Sequence, residues 1–330
     1  MSDKESPVSN LLSSSPFIIA EIGSNFTTFT EAKDAISMAK QCGADAVKFQ
    51  LHSLAALYGT LPGMNNILSL PIDWLPKLKD KANAVGIEFM CSAFSPELYD
   101  TIDPYVDVHK IASSEISWPQ LLEHVKNKSK PIILSTGASS MGDVSAAMKL
   151  LSGGPKVVLM YCSSSYPSVE YNLFQIDDLK KKFDVPVGFS DHSSCVAYPA
   201  LSAVRHFGAT VIEKHVNFTS HVTSDSGHSL DGAQFKIMCD YLHGQRDPHD
   251  FQPHSEERDM FLRHNRRLIA IKPIARGSKF IYGDNFGAYR SLKEDTRGLH
   301  PFVWQKIAIS DGATRDIAVG DGIGPRDFYS

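Results

Sequence analysis

Eight short apolar runs punctuate the chain, and each closes on polar residues before a helix-like stretch begins. They are FIIAE, ending at Glu21; DAVKFQ, carrying Lys48 and Gln50; IEFMCS, ending at Ser92; and VHKIASSE, carrying Lys110, Ser113 and Glu115. PIILST then carries Ser135, KVVLMYCSS ends at Ser164, VPVGFSDH carries Ser190 and His192, and TVIEKH carries Glu213 and His215. Such nearly continuous apolar runs are typical of parallel strands buried on both faces. A βα unit repeated eight times with right-handed crossovers closes into a barrel. The sequence therefore predicts an α/β protein built on a TIM (β/α)8 barrel. Barrels of this kind carry their chemistry where the strands end, which is where the polar residues stand.

The intervening stretches support that reading. In EAKDAISMAKQCG (31–43), Ala32, Ala35, Ile36 and Ala39 share one helical face, and Gly43 stands at a helix stop. PIDWLPKLKDKANAVG (71–86) and DVSAAMKLLSGG (143–154) read the same way, the second starting on an acidic cap. CVAYPALSAVRHFGA (195–209) has Pro199 near its start, where proline does little harm. The polar, proline-bearing stretch GQRDPHDFQPHSEERD reads as a linker. Beyond it, short alternating runs are punctuated by Gly277, Gly283 and Gly287, with no long helical pattern. The expected organisation is a disordered lead over 1–15, the barrel over 16–248, a linker over 249–264 and a small, mainly β module over 265–330.

At 330 residues the chain is long enough for a barrel and one small module. Its net charge of -4 argues against nucleic acid or an anionic membrane as the main partner. No apolar run approaches the ~20 residues that span a bilayer. The start, MSDKESPVSNLLSSS, lacks the basic and apolar regions of a signal peptide, so a cytoplasmic protein is expected. Five scattered cysteines without CxxC spacing fit reduced thiols.

Two histidines, His192 and His215, follow the seventh and eighth runs. Alternation points Glu213 and His215 one way, and likewise Ser190 and His192. Neighbouring strand ends would bring the two imidazoles within reach of one cation, with Mn²⁺ or Mg²⁺ suited to two nitrogens completed by oxygens. Lys48 and Lys110 sit among apolar residues, where an ammonium needs an anion. That anion is a bound phosphate or carboxylate, a structural partner such as Glu21, Glu115 or Glu213, or both. Ser113, Ser135, Ser164 and Ser190 add hydroxyl donors. Glu21, Glu115, Glu213 and Asp225 are candidates for proton transfer or for holding sugar hydroxyls, and Tyr166 stands at the rim after the sixth run. No GxGxxG, P-loop or G-x-S-x-G string appears, which disfavours nucleotide binding and serine hydrolysis.

Taken together, FIIAEIGSN, GADAVKFQ, GIEFMCSAF, HKIASSEI, ILSTG, YCSSSYPS, VPVGFSDHS, GATVIEKH and NRRLIAIKPIARG resemble, in order, the sialic acid synthase family. That family comprises N-acetylneuraminate synthases with their pseudaminic and legionaminic acid relatives. The resemblance implies a TIM barrel followed by an antifreeze-like (SAF-type) module that covers the active site of the other subunit in a homodimer. The implied reaction condenses phosphoenolpyruvate (PEP) with an N-acylated amino-sugar aldehyde such as N-acetylmannosamine, releasing phosphate. It further implies His192 and His215 as metal ligands, and Lys48, Lys110, Ser113, Ser135, Ser164 and Ser190 as the PEP site. Glu21, Gln50, Glu115, Tyr166, Glu213 and Asp225 would surround the sugar and reacting carbons, and Arg290 would reach the acceptor from the C-terminal module. Departures from the family gather at the acceptor end: TSDSGHSL around Asp225, a short stretch holding Asn65 and Asn66, and SLKEDTRG after Arg290, which offers Arg297 as a substitute. The alternatives are another metal-dependent sugar enzyme, an aldolase or isomerase, and an inactive sugar-binding relative.

Overall fold

The computed structural model describes residues 16–59, 68–244, 266–290 and 298–329. The apolar runs fold as β1 (Phe17–Gly23), β2 (Ala46–Leu51), β3 (Glu88–Ala93), β4 (His109–Ile111), β5 (Ile132–Ser135), β6 (Val157–Cys162), β7 (Val187–Asp191) and β8 (Val211–Asn217). Each pairs in parallel with the next, and β1 also pairs with β8, which closes the TIM barrel.

Two tiers fill the barrel. Phe17, Ile19, Ala46, Met90, Val108, Ile133, Val158, Met160 and Val211 form an apolar plug toward the N-terminal ends of the strands. One pleat further along, the same inward-facing rows become polar: Glu21 is registered with Lys48 and with His215, Ser92 with Lys110, and Ser190 with Glu213. The period of two thus places a charged tier directly on an apolar floor. Outward-facing residues such as Ile18, Val47, Phe49 and Phe89 pack against the helices. Phe49 and Phe89 are fully buried with ring centroids 5.9 Å apart, and truncating either to alanine would cost about 3–5 kcal/mol.

Local chemistry sets the helix ends. The first helix starts at Phe29 rather than at Glu31 because the Thr28 hydroxyl accepts from Glu31 N at 3.2 Å while the Glu31 carboxylate accepts from Thr28 N at 3.1 Å. It stops at Gly43, whose φ of 99° favours glycine. Asp143 does not cap the helix Met141–Leu151. Ser140 does, and Asp143 occupies the third helical position of a second capping box. Pro199 lies in the first turn of Tyr198–Phe207, where no backbone donor is missed. The fourth run is a strand only over His109–Ile111; Ser113–Glu115 form a 3₁₀ turn that carries the chain out of the ladder.

The chain divides into units Met1–Pro248 and His249–Ser330. In the second unit Arg267–Ala270 pairs antiparallel with Phe286–Tyr289 over a core that includes Leu268, Phe280, Phe286, Ile307 and Ile317. Its remaining pairing consists of isolated bridges, and among its described residues no helix exceeds the five residues of Trp304–Ala308. The expected lead over 1–15 and linker over 249–264 lie outside the described residues. All five cysteines are free thiols. Among the described residues no helix is long and apolar enough to cross a membrane.

Candidate active site

At the C-terminal ends of the strands lies a cavity of 530 Å³. Glu21, Lys48, Gln50, Lys110, Ser113, Ser135, Ser164, Tyr166, Ser190, His192, Glu213 and His215 line it, so closure of the barrel brings twelve of the fifteen expected residues to one wall. Glu115 and Asp225 do not line it. The 3₁₀ turn sends Ser113 into the cavity and Glu115 away from it, where its carboxylate accepts from the Ser114 hydroxyl at 2.8 Å and burial pushes it up. Asp225 stands behind His215, with Oδ2 at 3.8 Å from Nδ1 and accepting from Ser24 N at 2.9 Å. Gly23 makes that approach possible, because a Cβ there would lie 2.3 Å from the same oxygen. Arg290 belongs to the second unit, where it is exposed beyond the strand Phe286–Tyr289. Asn65, Asn66 and Arg297 lie outside the described residues.

The lysines and carboxylates form one buried network. Lys48 Nζ lies 2.8 Å from Glu21 Oε2 and 3.7 Å from Glu213 Oε2. Neither oxygen has an aligned hydrogen bond, so these are contacts of charge, and the ammonium retains donors for another anion. Lys110 donates to Ser135 at 2.8 Å and to Glu213 Oε1 at 3.5 Å. Burial alone would lower Lys48, but Glu21 and Glu213 outweigh it and hold the ammonium above its ordinary range. Lys110, with a more distant partner, is pushed down by burial. Burial pushes Glu21 up against the pull of Lys48. Glu213 is held low despite its burial by Lys110, Lys48 and His192. Two carboxylates in one tier are thereby driven in opposite directions. Gln50 donates to Glu21 Oε1 at 2.6 Å and fixes its orientation.

Beside Lys110, Gly137 N donates to Ser113 Oγ at 3.1 Å, and Ser113 Oγ lies 3.1 Å from Cys162 Sγ. A Cβ at Gly137 would lie 2.2 Å from Ser164 Oγ, 2.5 Å from Cys162 Sγ and 2.8 Å from Ser113 Oγ. The bare backbone at this position lets three small polar groups converge into a cradle in the cavity wall.

At the other end stand four rings. His192 and His215 have centroids 5.6 Å apart, and Tyr166 stacks obliquely on His192 at 4.3 Å. His228 lies 4.5 Å from His215 and 4.9 Å from Tyr166. His192 Nδ1 lies 2.9 Å from the Ser163 carbonyl, which assigns the ring proton to Nδ1 and leaves Nε2 with its lone pair. Ser190 Oγ is 3.3 Å from that Nε2 and 3.2 Å from Glu213 Oε1, and its single proton goes to the carboxylate. Burial pushes His192 down to about 4, and it pushes His215 well below the ordinary range with help from the two neighbouring imidazoles. His215 Nδ1 is buried without a hydrogen-bond partner. Two neutral, preplaced imidazoles fit a divalent ion. Among the described residues, however, no group of three or more His, Cys, Asp or Glu side chains converges as a full metal cage. An ion here would draw its other ligands from oxygens outside that set, such as those of hydroxyls, amides, substrate or water.

Sequence reasoning missed His228, Gly137 and Asp143. His228 is inside the TSDSGHSL string and Gly137 inside ILSTG, so both sat in segments already singled out. Asp143 lines the cavity from a helix start, and the sequence marks it only as an acidic cap.

The NeuB family model matches residues 35–247. A pseudaminic acid synthase from Campylobacter jejuni is 30% identical, with 94% of this chain and 96% of that protein covered. An N,N'-diacetyllegionaminic acid synthase from Legionella pneumophila is 34% identical over 67% of this chain and 70% of that protein. Among solved structures, the spore coat polysaccharide biosynthesis protein SpsE from Bacillus subtilis matches with a TM-score of 0.64 and 27% identity, covering 96% of both chains. With more than half the chain matched by the family model and relatives at this identity over most of its length, the protein belongs to the NeuB family.

Proposed function

We propose that the protein condenses PEP with the open-chain aldehyde of an N-acylated amino-sugar such as N-acetylmannosamine, giving N-acetylneuraminate or a related nonulosonic acid and phosphate. The observation that carries this reading is the shared mouth, in which Lys48 and Lys110 both contact Glu213 while His192 and His215 face each other 5.6 Å apart. The names of the relatives as synthases of nonulosonic acids support it.

Lys48, Lys110 and the hydroxyls of Ser113, Ser135, Ser164 and Ser190 hold the carboxylate and phosphate of PEP. Removed from bulk water, these donors act strongly on charge that develops as the phosphate departs. A divalent ion such as Mn²⁺ or Mg²⁺, held by His192 and His215, supplies Lewis-acid polarisation of the acceptor aldehyde when bound. C3 of PEP bonds to the aldehyde carbon, water adds at C2, and the C–O bond to phosphate breaks. Glu21, whose burial favours the protonated form against the pull of Lys48, gives a proton to the aldehyde oxygen. Glu213, held ionised, takes the proton of the attacking water. Asp225 places a carboxylate 3.8 Å from His215 Nδ1, Glu115 supports the turn beside Ser113, and Tyr166 borders the acceptor. In a cytoplasmic homodimer, the C-terminal unit of one subunit covers the partner's mouth and brings Arg290 to the sugar.

Phosphate release from PEP, measured with and without N-acetylmannosamine, tests the reading. Release that depends on the acceptor, with the condensed acid detected by mass, is expected. If no acylated hexosamine, free or 6-phosphorylated, stimulated phosphate release, the condensation would be excluded.

A further inference from the structure

On the outer side of the barrel wall, where apolar residues face the helices, the two histidine-bearing strand ends are joined by a charge pair. Asp191 and Lys214 are register partners on β7 and β8, with side chains 1% and 0% exposed. Lys214 Nζ lies 2.9 Å from Asp191 Oδ2, off the line of an aligned hydrogen bond, and donates to the Ser193 carbonyl at 2.5 Å. Asp191 Oδ1 accepts from Ser193 N at 2.9 Å. The ammonium of Lys214 therefore grips the chain on both sides of His192, from the residue that precedes His215.

We propose that Asp191 and Lys214 form a clamp that sets the spacing of His192 and His215, acting as positioning residues that never touch substrate. Alternation sends the pair outward while it sends the imidazoles inward, so the clamp acts through the backbone. It is needed because β7 ends at Asp191: the ladder between the two strands stops at Asp191–Lys214, and His192 stands one residue past it. Functional groups of this kind must be held within about 0.5 Å of their working geometry. Among the described residues no group of three His, Cys, Asp or Glu side chains converges there, so the site depends on where these two imidazoles stand. Burying two charges among apolar neighbours is a poor route to stability alone, since a well-packed apolar pair serves as well or better.

The inference rests on the proposed two-histidine ion site, and its test separates the two. Mn²⁺ binding to the full-length protein is followed by electron paramagnetic resonance, and PEP binding without metal by calorimetry. In the double variant Asp191→Leu/Lys214→Met, which removes both charges together, the Mn²⁺ dissociation constant should rise about tenfold while PEP affinity is unchanged. Lys214→Arg keeps the charge but changes the reach, and should weaken Mn²⁺ by a smaller factor; it carries the test if the double variant does not fold. Unchanged Mn²⁺ affinity in the variants would overturn the clamp, and so would parallel losses of Mn²⁺ and PEP, which mark a merely structural role. Failure of the unmutated protein to bind Mn²⁺ would overturn the ion site itself, and the clamp with it.

Discussion

Replacing Gly137 with alanine puts one methyl group where three polar groups converge. The added carbon would lie 2.2 Å from Ser164 Oγ, 2.5 Å from Cys162 Sγ and 2.8 Å from Ser113 Oγ, all closer than non-bonded atoms approach. The backbone at Gly137 needs no positive φ, so the strain is one of space alone. Relief requires the two hydroxyls to swing away, and these are the groups assigned to PEP. Overpacking of this kind costs about 1–3 kcal/mol, which corresponds to a loss of about 5- to 150-fold in affinity. The cost should appear in PEP binding, because the methyl projects into the cavity rather than into the core. Calorimetric titration with PEP and the KM for PEP from phosphate release both read it, with Tm as the control for folding. Adding Ser164→Gly removes the nearest clash and should restore part of the affinity. An alanine variant that binds PEP as tightly as the parent would refute the placement of the anion in this cradle.

His215→Ala removes one of the two proposed nitrogen ligands and should reduce metal-dependent turnover by more than about 100-fold, read as activity against Mn²⁺ concentration. Arg290→Ala should raise the acceptor KM by about tenfold or more, as for a charged hydrogen bond, and leave the KM for PEP unchanged. A change confined to PEP would exclude Arg290 from the acceptor. The fourth prediction concerns acid stability. His109, fully buried with Nε2 3.0 Å from Asp103 Oδ1, is pushed down by burial from 6.5 to about 4. A group held low in the folded state binds its proton later there than in the unfolded chain. Its contribution is therefore complete above pH 6.5 and is lost as the pH falls toward 4, at most about 3 kcal/mol. Urea unfolding from pH 7 to 4 should show a shallower loss in His109→Gln, and identical slopes would contradict the assignment.

Much of the barrel was legible because its pattern is local. Continuous apolar runs mark strands buried on both faces, and alternation predicts that Glu213 and His215, or Ser190 and His192, share a face whatever surrounds them. Helix stops such as Gly43 were equally local. Legibility failed where a contact joins distant segments. The strand expected through Glu115 turns into 3₁₀ after Ile111, so two neighbouring polar residues part company, one into the cavity and one out of it. His228 meets Tyr166 only because separate loops converge above the barrel.

By itself the sequence determined the repeating unit, the polar tier at the strand ends and the family to which those strings are similar, since each depends on residues near one another in the chain. Only the tertiary structure decided which carboxylate is pushed up and which is held down, why residue 137 must lack a side chain, and what braces His192 from outside. Those outcomes depend on burial and on distances across the closed barrel, and burial has no value until the eighth strand meets the first.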